Sequence, residues 1–178
     1  MEIINDFKTS VVKALAEIDP KWNKYKGLVI AGTHTPENID KILSKIKDAR
    51  DNNTPVLGIC FGLQVAVIEY YRNVLNNPTA NSEEIDPDSF PVVSQLPALR
   101  VGIFKVNGRL ESHWHNYAVK KIIGDKLLGD KVYTDDILEE WRIGKFIGVQ
   151  FHPEYESSKD RPHPLLKEFI NICKQNGK

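Results

Sequence analysis

Apolar residues in the first half of the chain form two alternating patterns, short continuous runs and stripes with helical spacing. The runs are bounded by glycine or proline and predict strands buried on both faces at Gly27–Gly32 and Pro55–Ile59. The stripes recur at three- and four-residue steps and predict amphipathic helices over Phe7–Ile18, Ile39–Ala49 and Leu63–Val74. Strands that alternate with helices in this way indicate a mostly parallel sheet between layers of helices.

The second half of the chain is dominated by short β-rich runs, which follow a polar, turn-rich stretch at Pro78–Pro91. Strands or hairpins are predicted at Val92–Leu96, Leu99–Phe104, Arg109–His115, Lys131–Thr134, Ile137–Arg142 and Phe146–Phe151. A last helix carries Leu165, Phe169, Ile172 and Cys173 on one face. These elements predict one α/β domain over residues 1–178, a flavodoxin-like three-layer α/β/α sandwich.

The charge balance and the apolar content exclude several kinds of partner. Because 24 Lys and Arg equal 24 Asp and Glu, without long runs of one sign, we expect neither nucleic acid nor an anionic membrane as partner. No apolar stretch approaches the roughly 20 residues of a membrane helix, and the first residues lack the segments of a signal peptide. We therefore expect a cytoplasmic protein, in which two cysteines are too few for a disulfide framework.

Cys60 follows a predicted buried strand directly and precedes a predicted helix, which favours it as a nucleophile. Such a turn lifts the side chain above the sheet edge, and the helix N-terminus stabilises the thiolate, the form that attacks. Gly58 and Gly62 leave room for the tight turn, as in the nucleophile elbows of hydrolases. The alternative is that Cys60 is a small buried core residue, since free cysteine is among the most buried residue types.

A second candidate segment ends the predicted strand Phe146–Phe151 with His152-Pro153-Glu154. Residues two apart on an extended segment share a face, so Glu154 is placed to hold one ring nitrogen of His152 while the other meets Cys60. A base oriented by a carboxylate is what thiol catalysis needs. Without Cys60, a loop histidine beside a solvated glutamate would be the simpler interpretation.

The strings Gly58–Gln64 and Gln150–Glu154 resemble the two signatures of the class I glutamine amidotransferases, which free ammonia from glutamine. Within that class, further strings are similar to the glutaminase domains of CTP synthases, namely Val67–Val74, Ala80–Glu84, Pro91–Val93 and His163–Leu165. The resemblance implies that Cys60 attacks the carboxamide of a small-molecule amide, glutamine or an analogue. His152 would move the proton, Glu154 would orient His152, and water would hydrolyse the thioester on Cys60. No cofactor and no metal are implied.

The resemblance also implies an oxyanion hole, and the chain departs from the family in that region. The backbone N–H of Phe61 would supply one half, and the loop at Gly32 and Thr33 the other. The family pattern Pro-Gly-Gly-Phe-Gly is replaced here by Ala31–Thr35, so Thr33 stands where the family has a glycine with unusual φ. His34 replaces an aromatic residue beside the substrate, and it is either a participant in the chemistry or a plain loop histidine.

The substrate-binding residues implied by the resemblance are Gln64, Glu84, Tyr117 and Asn116. The last is a departure, because the family has there an arginine that contacts the amino-acid end of glutamine, and Asn116 removes this partner for a carboxylate. Ser112 and Trp114 replace two further arginines. The substrate is therefore glutamine, a glutamyl amide, a peptide-like amide or another small carboxamide.

His113 and His115 share one face of a predicted strand, a spacing that metal ligands use. Two histidines without a visible third ligand are more often hydrogen-bonded side chains, so we predict no metal. Trp114, on the opposite face, is predicted to lie in the core.

Two other functions stay open beside the amidohydrolase. One is a binding or regulatory module that keeps the triad residues, favoured by the altered oxyanion loop and the missing arginines. The other is a transferase in which an amine resolves the thioester. The chain has no phosphate-binding glycine loop, so use of the ammonia would need a separate synthetase. The oligomeric state is not indicated by the sequence.

Overall fold

The computed structural model describes residues 1–36 and 39–176. A short 3-10 turn at Trp22–Lys24 precedes the second strand. In chain order, the strands and helices are β1 Glu2–Ile4, α1 Lys8–Ile18, β2 Leu28–Ile30, α2 Ile39–Asp51, β3 Val56–Ile59, α3 Phe61–Asn73, β4 Ala80–Ser82, β5 Phe90–Val106, β6 Arg109–Ala118, α4 Lys121–Gly124, β7 Asp130–Thr134, β8 Ile137–Ile143, β9 Phe146–Val149 and α5 Pro164–Asn176.

The main sheet has the strand order β1-β2-β3-β9-β8-β7. Its first four strands are parallel, and β8 and β7 are added antiparallel at one edge. Residues of β2 alternate between two cores, since Leu28 and Ile30 pack on the side of α2 and α3, and Val29 on the side of α1 and α5. Helices thus cover both faces, which confirms the predicted flavodoxin-like three-layer α/β/α fold with a mostly parallel sheet.

A second, smaller sheet has the order β4-β5-β6, and β5 and β6 form a long antiparallel hairpin. The sequence predicted two strands where β5 is one strand of 17 residues. Pro97 does not end the strand, because the pairing with β6 is irregular between Gln95 and Arg100 and resumes afterwards. The strands β1 and β4 and the helix α4 were not predicted, since each is only three or four residues long.

A buried ionic cluster ties the hairpin to the main sheet and to α5. It consists of Arg100, Arg109, Glu111, His113, Glu139, Glu140 and His163. Arg109 donates hydrogen bonds to both Glu111 and Glu140, and His163 Nε2 lies 3.0 Å from Glu111 Oε2. Because removing one partner leaves a buried charge uncompensated, such a cluster holds its elements in one arrangement.

Candidate active site

Cys60 lies at the turn between β3 and α3, with a φ of 54° that non-glycine residues rarely adopt. Two glycines permit this turn. A Cβ atom on Gly62 would lie 2.2 Å from the carbonyl oxygen of Ile30, and one on Gly58 would lie 2.7 Å from the backbone of Gly62. The strand, the turn and the helix therefore pack closer together than any side chain would allow. The Cys60 side chain lies at the carboxyl end of β3, 8% exposed.

The structure brings His152 and Glu154 to the same end of the sheet, just after β9. The Nδ1 atom of His152 lies 2.8 Å from Glu154 Oε1, and the His152 backbone N–H donates to the Ser112 carbonyl at 2.8 Å. The imidazole stacks on Tyr155 with a centroid separation of 4.8 Å. The hydrogen bond to Glu154 and the stacking on Tyr155 hold the ring, and the Cys60 side chain lies beside it as a further partner.

The pKa of the His152 imidazole is raised by its partners. Burial, the largest influence, lowers this pKa, but the hydrogen bonds to Cys60 and to Glu154 together outweigh it and raise the pKa to about 10. At neutral pH the imidazolium form is therefore favoured beside the sulfur. That form stabilises a thiolate and holds a proton that a leaving amine needs.

Gln150 donates a hydrogen bond to the sulfur of Cys60, with 3.5 Å between Nε2 and Sγ. Its orientation follows from Gln64, whose Nε2 donates to the Tyr117 carbonyl at 2.8 Å and to Gln150 Oε1 at 3.2 Å. A backbone carbonyl only accepts, so Gln64 must present its NH₂ group there, and Gln150 must turn its own NH₂ to the sulfur. Gln150 was part of the second sequence motif, but the motif assigned no function to it.

A cavity of about 270 Å³ opens above Cys60. The residues singled out from the sequence that line it are Thr33, His34, Cys60, Phe61, Gln64, Glu84, Asn116 and Tyr117. Gly32 lies beside His152 instead, because a Cβ atom there would be 3.1 Å from the His152 ring. Leu99 and His115 also line the cavity, although the sequence did not indicate them as pocket residues.

The carboxyl group of the cavity belongs to Glu84, an exposed residue whose pKa is raised by partial desolvation. Burial lowers the pKa of His115 to about 3, and its Nδ1–H donates to the Tyr117 carbonyl at 3.0 Å, so this imidazole is neutral. Among the described residues, no lysine or arginine lines the cavity. The cavity is thus suited to a cationic or neutral group on the substrate.

The loop that carries Thr33 does not need a glycine at this position. Thr33 has no positive φ, and its Oγ1–H donates to Asp6 Oδ2 at 2.5 Å while the same oxygen accepts the N–H of Thr35. His34 packs edge-on against Phe7 and Trp114, with centroid separations of 4.7 and 5.4 Å. The departure from the family's glycine pattern is therefore accommodated by a loop of ordinary backbone conformation.

The prediction that Trp114 lies in the core is wrong, because its side chain is 52% exposed. The buried face of β6 carries His113 and His115 instead, with ring centroids 5.6 Å apart, and His113 Nε2 lies 2.9 Å from Glu139 Oε2. In the described part of the chain, no three potential metal ligands are grouped together. None of the described helices is long and apolar enough to cross a bilayer.

Five apolar side chains on the outer face of the hairpin are each more than half exposed. We call this surface the outer hairpin face, and it consists of Leu99, Val101, Ile103, Leu110 and Trp114. Two of these residues, Leu99 and Trp114, also line the cavity above Cys60. The apolar surface is therefore continuous with the opening of the candidate active site.

The chain belongs to the class I glutamine amidotransferases, because the family described as "Glutamine amidotransferase class-I" matches residues 4–172. Within this class it is similar to the glutaminase domain of CTP synthase. The CTP synthase of Clostridium acetobutylicum is 32% identical in an alignment 200 residues long. The alignment covers 93% of this chain and 36% of the relative. The CTP synthase of Thermomicrobium roseum is 33% identical in an alignment 193 residues long, which covers 89% of this chain and 35% of that relative.

A solved structure of similar fold is the glutaminase domain of Trypanosoma brucei CTPS with bound acivicin. It has a TM-score of 0.85 and 22% sequence identity, and the match covers 97% of this chain and 92% of that chain. The chain spans about a third of the length of the curated relatives it matches, 36% and 35% in the two named above.

Proposed function

We propose that this chain is a cysteine amidohydrolase that releases ammonia from glutamine or a related amide. The observation that carries the proposal is the arrangement of Cys60 at a strained turn beside the His152–Glu154 pair. A cysteine that served only as a core residue would need neither a positive φ nor a buried imidazole held by a carboxylate. Membership of the family points to the same chemistry.

In the proposed reaction, the Cys60 thiolate attacks the carbonyl carbon of the amide. The N–H of Phe61, in the first turn of α3 where N–H groups lack helical acceptors, stabilises the oxyanion, and Gly32 and Thr33 flank its other side. Imidazolium His152 gives its proton to the departing nitrogen, so that ammonia leaves and an acyl thioester remains. Water then adds to the thioester, His152 takes the proton, and the carboxylic acid leaves as Cys60 is restored.

Gln64, Glu84, Asn116 and Tyr117 line the cavity and are proposed to contact the substrate. Glu84 would pair with a substrate ammonium group, because it is the carboxyl group of the cavity. Ammonia that is not simply released would be consumed by a synthetase, because the relatives are CTP synthases, of whose length this chain matches about a third.

The proposal is tested by incubating the protein with a diazo-ketone analogue of glutamine and measuring the intact mass. We expect one adduct on the wild type, none on Cys60→Ala, and one again on Cys173→Ala. Cys173 is the matched control because it is the other cysteine of the chain and burial raises the pKa of its thiol to about 12. An unlabelled Cys60, together with no ammonia release from any amide, would favour the binding module instead.

Gln150→Leu is expected to make Cys60 a weaker nucleophile, because it removes the hydrogen bond to the sulfur at similar side-chain volume. A hydrogen bond to a charged group contributes about 1.5–3 kcal/mol, so the pH midpoint of thiol alkylation should rise by about one unit or more. The rate of Cys60 alkylation by iodoacetamide, recorded between pH 5 and 9, gives this midpoint. Gln150→Glu is the companion variant and should raise the midpoint further by like-charge repulsion. An unchanged midpoint in both would leave Gln150 with a packing role only.

A further inference from the structure

We propose that the preferred substrate is a glutamine whose α-carboxyl group is blocked, with the blocking group lying on Leu99 and Trp114. This inference rests on the proposed function and names the substrate class of the same site. It accounts for two observations that free glutamine leaves unexplained, the charge of the cavity and the apolar surface at its opening.

The charge of the cavity disfavours a free α-carboxylate. Glu84 places a carboxyl group there, His115 is neutral, and no lysine or arginine among the described residues lines the cavity. Asn116 offers hydrogen bonds without charge. A free amino acid would bring its carboxylate into a partly desolvated site beside Glu84 without a cationic side chain, which raises the cost of its burial. An amide or ester at that position carries no charge and avoids this cost.

The surface next to the cavity favours an apolar blocking group. Leu99 and Trp114 each line the cavity on one side and are 53% and 52% exposed on the outer hairpin face. Val101, paired with Trp114 across the hairpin, continues the same surface away from Cys60. A group attached to the α-carboxyl carbon would leave the cavity over these side chains and cover them, as expected of contiguous exposed apolar side chains at a binding site.

The occupant to which these two features point is a small peptide with glutamine at its N-terminus. Its α-ammonium group would pair with Glu84, its side-chain amide would reach Cys60, and its second residue would lie on Leu99 and Trp114. The atoms balance as in hydrolysis of free glutamine: water is consumed, ammonia leaves, and the N-terminal residue becomes glutamate. No further reactant is needed.

The experiment compares kcat/KM for glutamine and for the N-methylamides of glutaminyl-glycine and glutaminyl-leucine. The glutamyl product is quantified by mass, which separates it from the pyroglutamyl product of spontaneous cyclisation, with Cys60→Ala as the blank. We expect both blocked substrates to exceed glutamine by about tenfold or more, and the leucine compound to exceed the glycine compound. A faster reaction of free glutamine would overturn the inference while the proposed function stands.

Three variants test which residues cause the substrate preference. Asn116→Arg should shift the preference toward free glutamine, because it adds a cation at the opening. Leu99→Ser should bring the leucine-to-glycine ratio close to one, whereas Ile103→Ser, on the same outer hairpin face but outside the cavity, should keep the wild-type ratio. A ratio that responds equally to Leu99→Ser and Ile103→Ser would overturn the placement of the blocking group.

If no amide is turned over, covalent labelling of Cys60 tests the preference for a blocked α-carboxyl group. The diazo-ketone analogue of glutamine and its methyl ester then compete for Cys60, and faster labelling by the ester supports the inference, while faster labelling by the free acid overturns it. Labelling by neither compound would contradict the proposed function itself, and the inference would fall with it.

Discussion

His152→Ala should lower kcat for amide hydrolysis by about 10⁶-fold with a much smaller change in KM, the size of loss found when the base of a catalytic triad is removed. The reason lies in the two functions proposed for the ring, because its cation would stabilise the Cys60 thiolate and its proton would go to the departing nitrogen. Steady-state ammonia release from the preferred amide measures the effect, and thermal unfolding verifies that the variant is folded.

His34→Ala is the matched comparison, because His34 lines the same cavity but packs on Phe7 and Trp114. We expect it to change KM more than kcat. Glu154→Gln should fall between the two histidine variants, since it leaves the ring in place with an acceptor but removes the negative charge that helps to raise the pKa of His152. A histidine NMR titration should then show a lower His152 pKa than in the wild type. Equal losses of kcat in His34→Ala and His152→Ala would contradict the assignment of His152 as the base.

Gly62→Ala should destabilise the folded protein by about 3 kcal/mol or more, at the upper end of the usual cost of overpacking. The new Cβ atom would lie 2.2 Å from the carbonyl oxygen of Ile30, which is backbone of the buried strand β2 and cannot rotate away. Urea unfolding followed by circular dichroism gives the change in the free energy of unfolding.

Gly102→Ala separates this clash from backbone strain. Gly102 has a φ of +121°, but a Cβ atom there would meet nothing within 4 Å, so only the conformational cost of about 1–3 kcal/mol applies. Gly62→Ala should therefore be the less stable of the two and should also lose Cys60 reactivity, because the same turn carries the nucleophile. A Gly62→Ala protein as stable as the wild type would refute the close packing of β2 against α3.

The layers of the fold could be predicted because the elements that build them have strong periodicity. Helix α2 shows the stripe Ile42, Leu43, Ile46 and Ala49, and all four side chains are buried. Strands β1 and β4 have three residues each and leave no such pattern. Pro97 looked like a strand end because proline lacks an N–H group, but the irregular pairing around it absorbs that loss.

The site was predictable as far as local motifs reach. Cys60, His152 and Glu154 each stand in a short string whose spacing implies their geometry. The wrong prediction for Trp114 has a physical cause. The alternation of side chains along a strand shows that Trp114 lies on the face opposite His113 and His115, but it does not show which of the two faces is buried. Hydrophobicity favoured the tryptophan, whereas His113 is buried with a carboxylate partner, Glu139, that lies far along the chain.

The contact of Gln150 with Cys60 escaped prediction for the same reason. Gln150 is oriented by Gln64, 86 residues away in sequence, and the hydrogen bond between them exists only once β9 lies beside β3. The outer hairpin face is likewise visible only in three dimensions, because its residues belong to two strands whose register the sequence does not fix.

The buried ionic cluster limits how this domain can be recombined with its relatives. A hairpin grafted from another domain would bring its own inward-facing residues, but the carboxylates Glu139 and Glu140 would remain on β8 and His163 before α5. A hairpin without the matching arginines would leave these carboxylates buried without a counter-ion. A chimera made to exchange substrate preference between this domain and a relative therefore has to transfer β5, β6 and β8 together, along with the residue at position 163.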